Sequence, residues 1–239
     1  MNGYGTLTDG LAAALDVRTG VSVREIEWRD SLVRAAADDE TFEADLLVSS
    51  LSLAVLKRGA ITFAPGLPAV YRAAIEGLDF GLSEKSVMDF EAPFWPRDRD
   101  VIIRASEDGC FSLFFNNHYP ASGDAFLTAR VLGRNVPAFV ELSDEAATNQ
   151  VMDALKDMFG AGLPEPRRVK RSRWLHDPNS AGAYSVDRLG VPSFDHRSVL
   201  AVPVSDRFAF AGEHTHPCYP STVHGAYLTA KRAAYALLG

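Results

Sequence analysis

The C-terminal part of the sequence combines an acidic residue at a strand end with a helix start that carries no acid. A predicted buried strand ends in Gly212-Glu213, which places a carboxylate at the carboxyl edge of a sheet, where open α/β sheets bind ligands. The helix predicted after it, over residues 222–237, has no Asp or Glu in its first turn, so its N–H groups remain available to an electron-rich group. Gly225 and Ala226 permit close approach of a flat ligand or a neighbouring helix. This pattern is typical either of a strand–helix corner with a buried glycine or of a cofactor site.

The same loop carries four side chains that bind soft metal ions in other proteins: His214, His216, Cys218 and His224. Imidazole and thiolate are ligands of zinc and copper sites. Their spacing matches no familiar metal motif, and no second cluster rich in carboxylates accompanies them. We therefore predict no metal site, with a metal-binding loop as the weaker alternative.

A basic cluster lies along another predicted strand, at Arg167, Arg168, Lys170, Arg171 and Arg173. Alternating like charges on a strand favour a solvated face, with a site for an acidic ligand as the alternative.

The composition is that of a globular protein. The chain has 239 residues, 47% of them hydrophobic, and its 24 basic and 31 acidic residues give a net charge of −7. At about 150 residues per domain, this length predicts one large domain or two small ones. The acidic surplus is spread along the chain and argues against nucleic acid or anionic membrane partners, since phosphates are bound by clustered Lys and Arg.

The two cysteines, Cys110 and Cys218, lie far apart and lack CxxC spacing. This excludes a disulfide framework and a zinc ribbon and favours a reducing compartment, so we expect a cytoplasmic protein. The sequence shows no secretory signal at its start and no run of about 18 apolar residues, so we predict no membrane association.

The elements that must position these residues follow from periodicity and from turn residues. Apolar residues at helical spacing predict helices over residues 6–15, 53–58, from 68 onward, 144–159 and 222–237. Short apolar or alternating runs predict strands over residues 21–28, 31–37, 41–49, 85–90, 101–105, 110–116, 125–132, 167–174 and 207–211. We expect the first three strands to form a β-meander whose third strand enters a core. Ser143 and Gly160 are the predicted caps of the clearest amphipathic helix.

Residues 208–226 resemble the C-terminal flavin-binding signature of the FAD-dependent amine oxidases, the family of polyamine oxidases, monoamine oxidases and lysine-specific histone demethylases. Further segments resemble family landmarks in the right order: Val23-Arg24-Glu25-Ile26, Leu53-Ala54-Val55-Leu56-Lys57, Phe80-Gly81-Leu82-Ser83-Glu84-Lys85, Pro93-Phe94-Trp95, Ser172-Arg173-Trp174 and Gly182-Ala183-Tyr184-Ser185. The resemblance covers essentially the whole chain.

The resemblance implies an α/β fold, with a partial FAD/NAD(P)-binding Rossmann-like domain and an inserted mixed α+β substrate domain. Residues 1–57 and 178–239 would form parts of the FAD-binding domain, and residues 58–177 the substrate-binding domain.

Three residues match catalytic positions of the family. Lys85 takes the place of a lysine that holds a water against flavin N5, Tyr184 that of an aromatic wall for the substrate amine, and Trp174 that of a flavin-side tryptophan. The implied reaction oxidises a C–N bond of a primary or secondary, polyamine-like amine. A hydride passes to flavin N5, the imine is hydrolysed, and dioxygen regenerates the flavin with release of hydrogen peroxide.

The cofactor positions implied by the resemblance are Val23, Gly212, Glu213, Thr222 and Val223. Val23 matches an adenine contact, and Glu213, after Gly212, matches the acid that binds the sugar-alcohol chain of FAD. Thr222 and Val223 match the helix start whose N–H faces the flavin pyrimidine.

Several positions depart from the family pattern. Ser52 and Ala54 replace the usual proline and glycine, so we expect an altered bend between strand and helix, and Asn179 replaces a tryptophan. Ala183 stands where monoamine oxidases attach flavin through cysteine, so we predict non-covalent FAD. Thr222 replaces the second tyrosine of the monoamine oxidase cage, which brings the pattern closer to the polyamine oxidase and demethylase branch.

No GxGxxG fingerprint follows a predicted strand, because Gly3, Gly5 and Gly10 are wrongly spaced and precede the first one. In this family the fingerprint lies in the N-terminal half, so the chain resembles the second half of such an enzyme. We expect an FAD-dependent oxidase of a small-molecule amine. The alternatives are a truncated, inactive module and one half of a split oxidase whose partner chain carries GxGxxG.

Overall fold

The structure is a computed structural model that describes residues 3–29, 31–107, 109–119 and 123–239. The helices within these residues are α1 (Gly3–Ala12), α2 (Leu53–Lys57), α3 (Ala69–Gly77), α4 (Val136–Val140), α5 (Asp144–Phe159), α6 (Ser193–Ala201) and α7 (Val223–Leu238). The strands are β1 (Val23–Trp28), β2 (Val33–Ala37), β3 (Thr41–Ala44), β4 (Leu47–Ser49), β5 (Thr62–Ala64), β6 (Asp79–Gly81), β7 (Ser83–Phe90), β8 (Val101–Ile103), β9 (Leu113–Tyr119), β10 (Asp124–Leu132), β11 (Arg168–Arg171), β12 (Tyr184–Val186) and β13 (Phe208–Phe210). Among the described helices, none combines the length and the apolar character needed to cross a bilayer.

The largest sheet is antiparallel, with the strand order β11-β7-β10-β9-β8. Side chains alternate across β7, so that Met88 and Phe90 enter the core while Lys85 lies on the opposite face. Helix α5 covers the core face with Val151 and Leu155, which are fully buried. This sheet therefore has one face packed on a helix and one face free to line a site.

A second core joins residues 23–80 to residues 199–210. The sheet β3-β2-β1-β5 packs near the parallel pair β13-β4, and Trp28 lies 5.0 Å from Phe208 between ring centroids. Tyr71 of α3 and Leu200 of α6 belong to the same buried cluster. The β-meander of β1, β2 and β3 is confirmed.

Both predicted caps of α5 are confirmed. Ser143 Oγ accepts a hydrogen bond of 3.1 Å from the Ala146 N–H, and Gly160 ends the helix with a φ of 96°. A serine N-cap contributes about 1 kcal/mol to helix stability.

The prediction of one strand over residues 41–49 was wrong, because the chain breaks at Asp45 into β3 and β4. Strand β3 pairs with β2, whereas β4 leaves that sheet and runs parallel to β13, with Leu47 opposite Phe208. The Arg207 guanidinium donates a 3.0 Å bond to the Asp45 carbonyl and holds the break.

The strand predicted over residues 167–174 ends at Arg171. Glu84 terminates it, since its carboxylate accepts bonds of 2.5 Å from Ser172 Oγ and 2.9 Å from the Leu175 N–H. Helix α6 was not predicted, because the charged residue Arg197 interrupts the apolar face of the helix. The structure nevertheless buries Arg197 almost fully.

Candidate functional site

Lys85, Trp174 and Tyr184, from three separate segments, line one cleft of about 600 Å³ on the free face of the largest sheet. Ser83, Lys85 and Val87 line it together because alternate residues of β7 point to one side. The structure thus brings together the three residues that the resemblance assigned to catalysis.

Lys85 is held at its backbone, and its ammonium has no hydrogen-bond or ion-pair partner among the described residues. Its N–H donates a 2.8 Å bond to Ser172 Oγ, and its carbonyl accepts a 3.0 Å bond from the Ser172 N–H. Ser172 is itself fixed by the buried Glu84. The sequence had marked Ser172 only as a landmark, and this clamp shows its positioning role.

Tyr184 and Trp174 form the aromatic sides of the cleft. The Tyr184 hydroxyl accepts a 2.7 Å bond from Arg130 Nη2, and a Cβ on Gly81 would lie 3.2 Å from the Tyr184 ring. Gly81 therefore allows the ring to lie close against β6. Trp174 is 48% exposed, so it is a cleft wall rather than a core residue.

Two further cavities adjoin the cleft or each other. The second, of about 240 Å³, shares Ser180, Ala183 and Tyr184 with the cleft and is lined by Gly212 and Glu213. The third, of about 380 Å³, shares residues 50–52 with the second and is lined by Val23. We call these three neighbouring cavities, with Val23 in the third and Lys85 in the cleft, the path.

Three hydrogen bonds hold the carboxylate of Glu213 in place. Its Oε1 accepts a 2.7 Å bond from the Ser185 N–H, and its Oε2 accepts bonds of 2.6 Å from Ser185 Oγ and from the Ser221 N–H. Arg197 donates a 2.7 Å bond to Ser185 Oγ and pairs with Asp187 at 3.0 Å. The sequence had marked Ser185 only as part of a landmark and had not pointed to Arg197, because both residues reach Glu213 only through the fold.

Thr222 caps α7, because its Oγ1 accepts a 3.0 Å bond from the Gly225 N–H. Val223 is 55% exposed, and neither residue is among those that line the three cavities, whereas Ala226 one turn later lines the second. The first turn of α7 carries no acid, as predicted.

The two glycines of this segment serve the protein's own packing. A Cβ on Gly225 would lie 2.0 Å from the Tyr219 carbonyl oxygen. Gly212 has a φ of +125°, and a Cβ there would lie 2.8 Å from the His214 ring. Gly225 thus approaches the preceding loop.

His214 is buried beneath this corner. Burial lowers the pKa of His214 to about 4, so the ring is neutral near pH 7. In the described part of the chain its Nε2 has no hydrogen-bond partner.

His216 binds the backbone of its own loop, since its Nδ1 accepts hydrogen bonds from the N–H groups of Cys218 and Tyr219. Across the described ranges, no three His, Cys, Asp or Glu residues are grouped as metal ligands.

The basic cluster is engaged within the protein. Arg167 and Arg168 each lie 2.8 Å from the Asp89 carboxylate, and the Arg167 hydrogen bond lowers the pKa of Asp89. Arg171 and Arg173 pair with Asp144 at the start of α5. These contacts support a structural role for four of the five residues.

The residues of the second cavity fit the flavin part of FAD. Small residues line the second cavity, where a flat ring needs room, and Glu213 offers a fixed acceptor beside it. Ala183 presents no thiol, in keeping with a non-covalent cofactor. Ser52, in place of proline, caps α2 and donates a 3.0 Å bond to the Ser180 carbonyl. The described residues lining the second and third cavities include no Lys or Arg for the pyrophosphate.

Comparisons with known proteins agree with this layout. The model of the family described as flavin containing amine oxidoreductase matches residues 1–238. The chain is similar to polyamine oxidase 2 of Arabidopsis thaliana, with 38% identity over 236 residues, covering 98% of this chain and 47% of that protein. It is also similar to lysine-specific histone demethylase 1 homolog 2 of the same plant, with 35% identity over 239 residues, covering 97% and 32%.

Solved structures show the same fold. Putrescine oxidase bound to putrescine aligns with a TM-score of 0.80 at 23% identity, covering 98% of this chain and 52% of that one. Cyclohexylamine oxidase from Brevibacterium oxydans aligns with a TM-score of 0.77 at 19% identity, covering 91% and 48%. The α/β architecture with a partial Rossmann-like part and a substrate part is thereby confirmed. The chain spans about half the length, or less, of the proteins it matches.

Proposed function

The chain belongs to the flavin-containing amine oxidoreductase family, and on that premise we propose that it carries the amine-facing part of an FAD-dependent amine oxidase. The substrate is a primary or secondary amine, oxidised at a C–N bond. The observation that carries the proposal is the meeting of Lys85, Trp174 and Tyr184 in a cleft that shares lining residues with the cavity beside Glu213.

Bound FAD would supply the chemistry, accepting a hydride from the amine and passing electrons to dioxygen to give hydrogen peroxide. The chain's own residues orient and bind. Tyr184 and Trp174 wall the amine, and Lys85 extends its ammonium into the cleft, where it holds a water. Glu213 accepts a hydrogen bond from the cofactor's hydroxyl chain through the one acceptor site, on Oε1, that Ser185 and Ser221 leave free.

The two ends of the cofactor are assigned to separate places. Val23 contacts the adenine in the third cavity. The flavin pyrimidine is assigned to the acid-free first turn of α7, at Thr222 and Val223, which precedes Ala226 of the second cavity and offers the positive end of the helix dipole. FAD is held without a covalent bond.

A second candidate is a module that works only with a chain carrying GxGxxG, or that is inactive without it. The parallel pair β4 and β13 favours this reading, because parallel strands are normally buried within larger sheets, whereas Val48 of β4 is 40% exposed. The upstream reading frame separates the candidates, since a strand-GxGxxG-helix encoded there favours a split or longer enzyme.

The test is a visible absorbance titration of the purified chain with FAD, followed by a peroxide assay with amines. We expect a shifted, protein-bound flavin spectrum and amine-dependent peroxide. A chain that is colourless and inactive alone, yet active with a GxGxxG chain, supports the second candidate. Full flavin binding without peroxide from any primary or secondary amine contradicts the proposed oxidase.

A further inference from the structure

The cleft that holds Lys85 has an unbalanced charge. Its described lining includes the cations Lys85 and Arg130 and no carboxylate. The acid on the same face of β7, Asp89, is paired with Arg167 and Arg168. Glu213 lines the adjoining cavity and is absent from the lining of the cleft.

Strand register places the two cations side by side. Arg130 of β10 is directly opposite Lys85 of β7 in the antiparallel ladder. Residues paired in this way have Cβ atoms about 5 Å apart, and like charges there destabilise a sheet. The arrangement therefore costs folding free energy that no described carboxylate offsets, which is a common property of functional sites.

Arg130 is oriented by neutral partners. Its Nε donates a 3.0 Å bond to Ser83 Oγ, and its Nη2 donates a 2.7 Å bond to the Tyr184 hydroxyl. Arg130 is half-buried and lines the cleft, and these two bonds leave three of its five N–H donors without a partner among the described residues. A fixed, partly desolvated guanidinium fork is the group that matches a carboxylate in geometry and charge.

We propose that the amine substrate carries a carboxylate that pairs with Arg130, so that the enzyme acts on an amino-acid-like amine rather than on a polycationic polyamine. This inference rests on the proposed amine oxidation and names the substrate class of the same cleft. It departs from the polyamine-like class that the family resemblance implied, because a polyamine would bring further positive charge to Lys85 and Arg130. Because the Tyr184 hydroxyl accepts a hydrogen bond from Arg130, the residue that binds the carboxylate is joined to the aromatic residue that walls the amine.

The test compares three amines with the same four-carbon chain on the flavin-loaded protein. 4-Aminobutyrate, butylamine and 1,4-diaminobutane share one primary amine and differ only in a carboxylate, a methyl group or an ammonium at the other end. We expect kcat/KM for 4-aminobutyrate to exceed that for butylamine by about 10- to 100-fold, the value of a charge-assisted pair, and 1,4-diaminobutane to rank last.

Variants assign the preference to one residue. Arg130→Met should remove the advantage of 4-aminobutyrate, mainly through KM, and raise the relative rate with 1,4-diaminobutane. Arg130→Lys should retain part of the preference because it retains the charge. Arg72→Met, at an exposed arginine of α3 outside the cleft, is the matched control and should change nothing. A wild-type preference for 1,4-diaminobutane, or an Arg130→Met variant that lowers all three rates equally, would overturn the inference.

Binding separates this inference from the proposed function. If none of the three amines is oxidised, the proposed oxidase activity has failed for these substrates. The Kd of 4-aminobutyrate, measured by calorimetry, still tests whether Arg130 binds the carboxylate. A Kd that weakens at least about 10-fold in Arg130→Met supports the inference. No binding, or an unchanged Kd, contradicts it.

Discussion

At the scale of residues, the site depends on side chains that fix other side chains. Ser172 clamps the backbone of Lys85, Arg130 holds Tyr184, and Ser185 holds Glu213. The family resemblance named Lys85, Tyr184 and Glu213 from the sequence. It could not name Arg130, because this residue reaches the cleft only through strand register.

Replacing Lys85 by methionine should remove the ammonium while leaving the clamp intact, since both bonds to Ser172 use backbone atoms of Lys85. We expect FAD to stay bound and the rate of flavin reduction or reoxidation to fall at least about 10-fold. Stopped-flow absorbance measures both rates. Lys170→Met, at an exposed residue of β11, is the control, and unchanged kinetics in Lys85→Met would remove Lys85 from the site.

His214 should make stability depend on pH. Burial lowers its pKa in the folded protein to about 4 from the usual 6.5, so the unfolded chain binds the extra proton first as pH falls. The contribution of His214 to the free energy of unfolding is therefore fully present above about pH 6.5. The free energy of unfolding falls by on the order of 3 kcal/mol as the pH decreases towards 4. Denaturant midpoints across this range measure the slope.

His214→Gln should flatten that slope, and His224→Gln, at an exposed residue of α7, should leave it in place. The carboxylates with lowered pKa, such as Asp89 and Asp177, lose their contributions mainly below pH 3.8, outside this window. An equal slope in wild type and His214→Gln would show that His214 is not the titrating group.

At the scale of elements, helix ends were the easiest features to predict. The caps Ser143 and Thr222 act over one turn, so local sequence was sufficient to locate the starts of α5 and α7. The break between β3 and β4 was not accessible in this way, since it depends on pairing with β13 far along the chain. The short pair β6 and β12 was missed for the same reason.

Two helical glycines should respond in opposite directions to alanine. Gly225→Ala places a Cβ 2.0 Å from a backbone oxygen, so we expect the free energy of unfolding to fall by about 3 kcal/mol or more. In Gly10→Ala the new Cβ meets nothing within 4 Å, and alanine favours helix α1 by up to about 1 kcal/mol. Chemical denaturation compares the two. Similar stabilities would contradict the packing of α7 against the Tyr219 loop.

At the scale of the whole molecule, the described residues form two main cores with no buried residue in common. Leu155 belongs to the core under the largest sheet, and Phe208 to the core that joins residues 23–80 to residues 199–210. Leu67, Tyr71 and Ile75 pack in the core of Phe208. The proposed domain boundaries at residues 57 and 177 stay a prediction.

Substitutions in the two cores should have additive effects on the free energy of unfolding. We expect Leu155→Val and Phe208→Leu each to cost about 1–2 kcal/mol, and the double variant to equal their sum within about 0.5 kcal/mol. Phe208→Leu with Phe210→Leu is the contrasting pair, because the centroids of these rings lie 5.0 Å apart within one core. Equilibrium unfolding tests this, and strong coupling between Leu155 and Phe208 would contradict separate cores.

The central claim is that an amine in the Lys85 cleft reduces flavin bound beside Glu213. The most direct measurement is anaerobic mixing of amines with the FAD-loaded protein, alone or with a GxGxxG chain, followed by visible absorbance. The account predicts that the oxidised flavin band bleaches with added amine, that air restores it with release of peroxide, and that Lys85→Met slows the cycle. A bound flavin that no amine bleaches would contradict the claim.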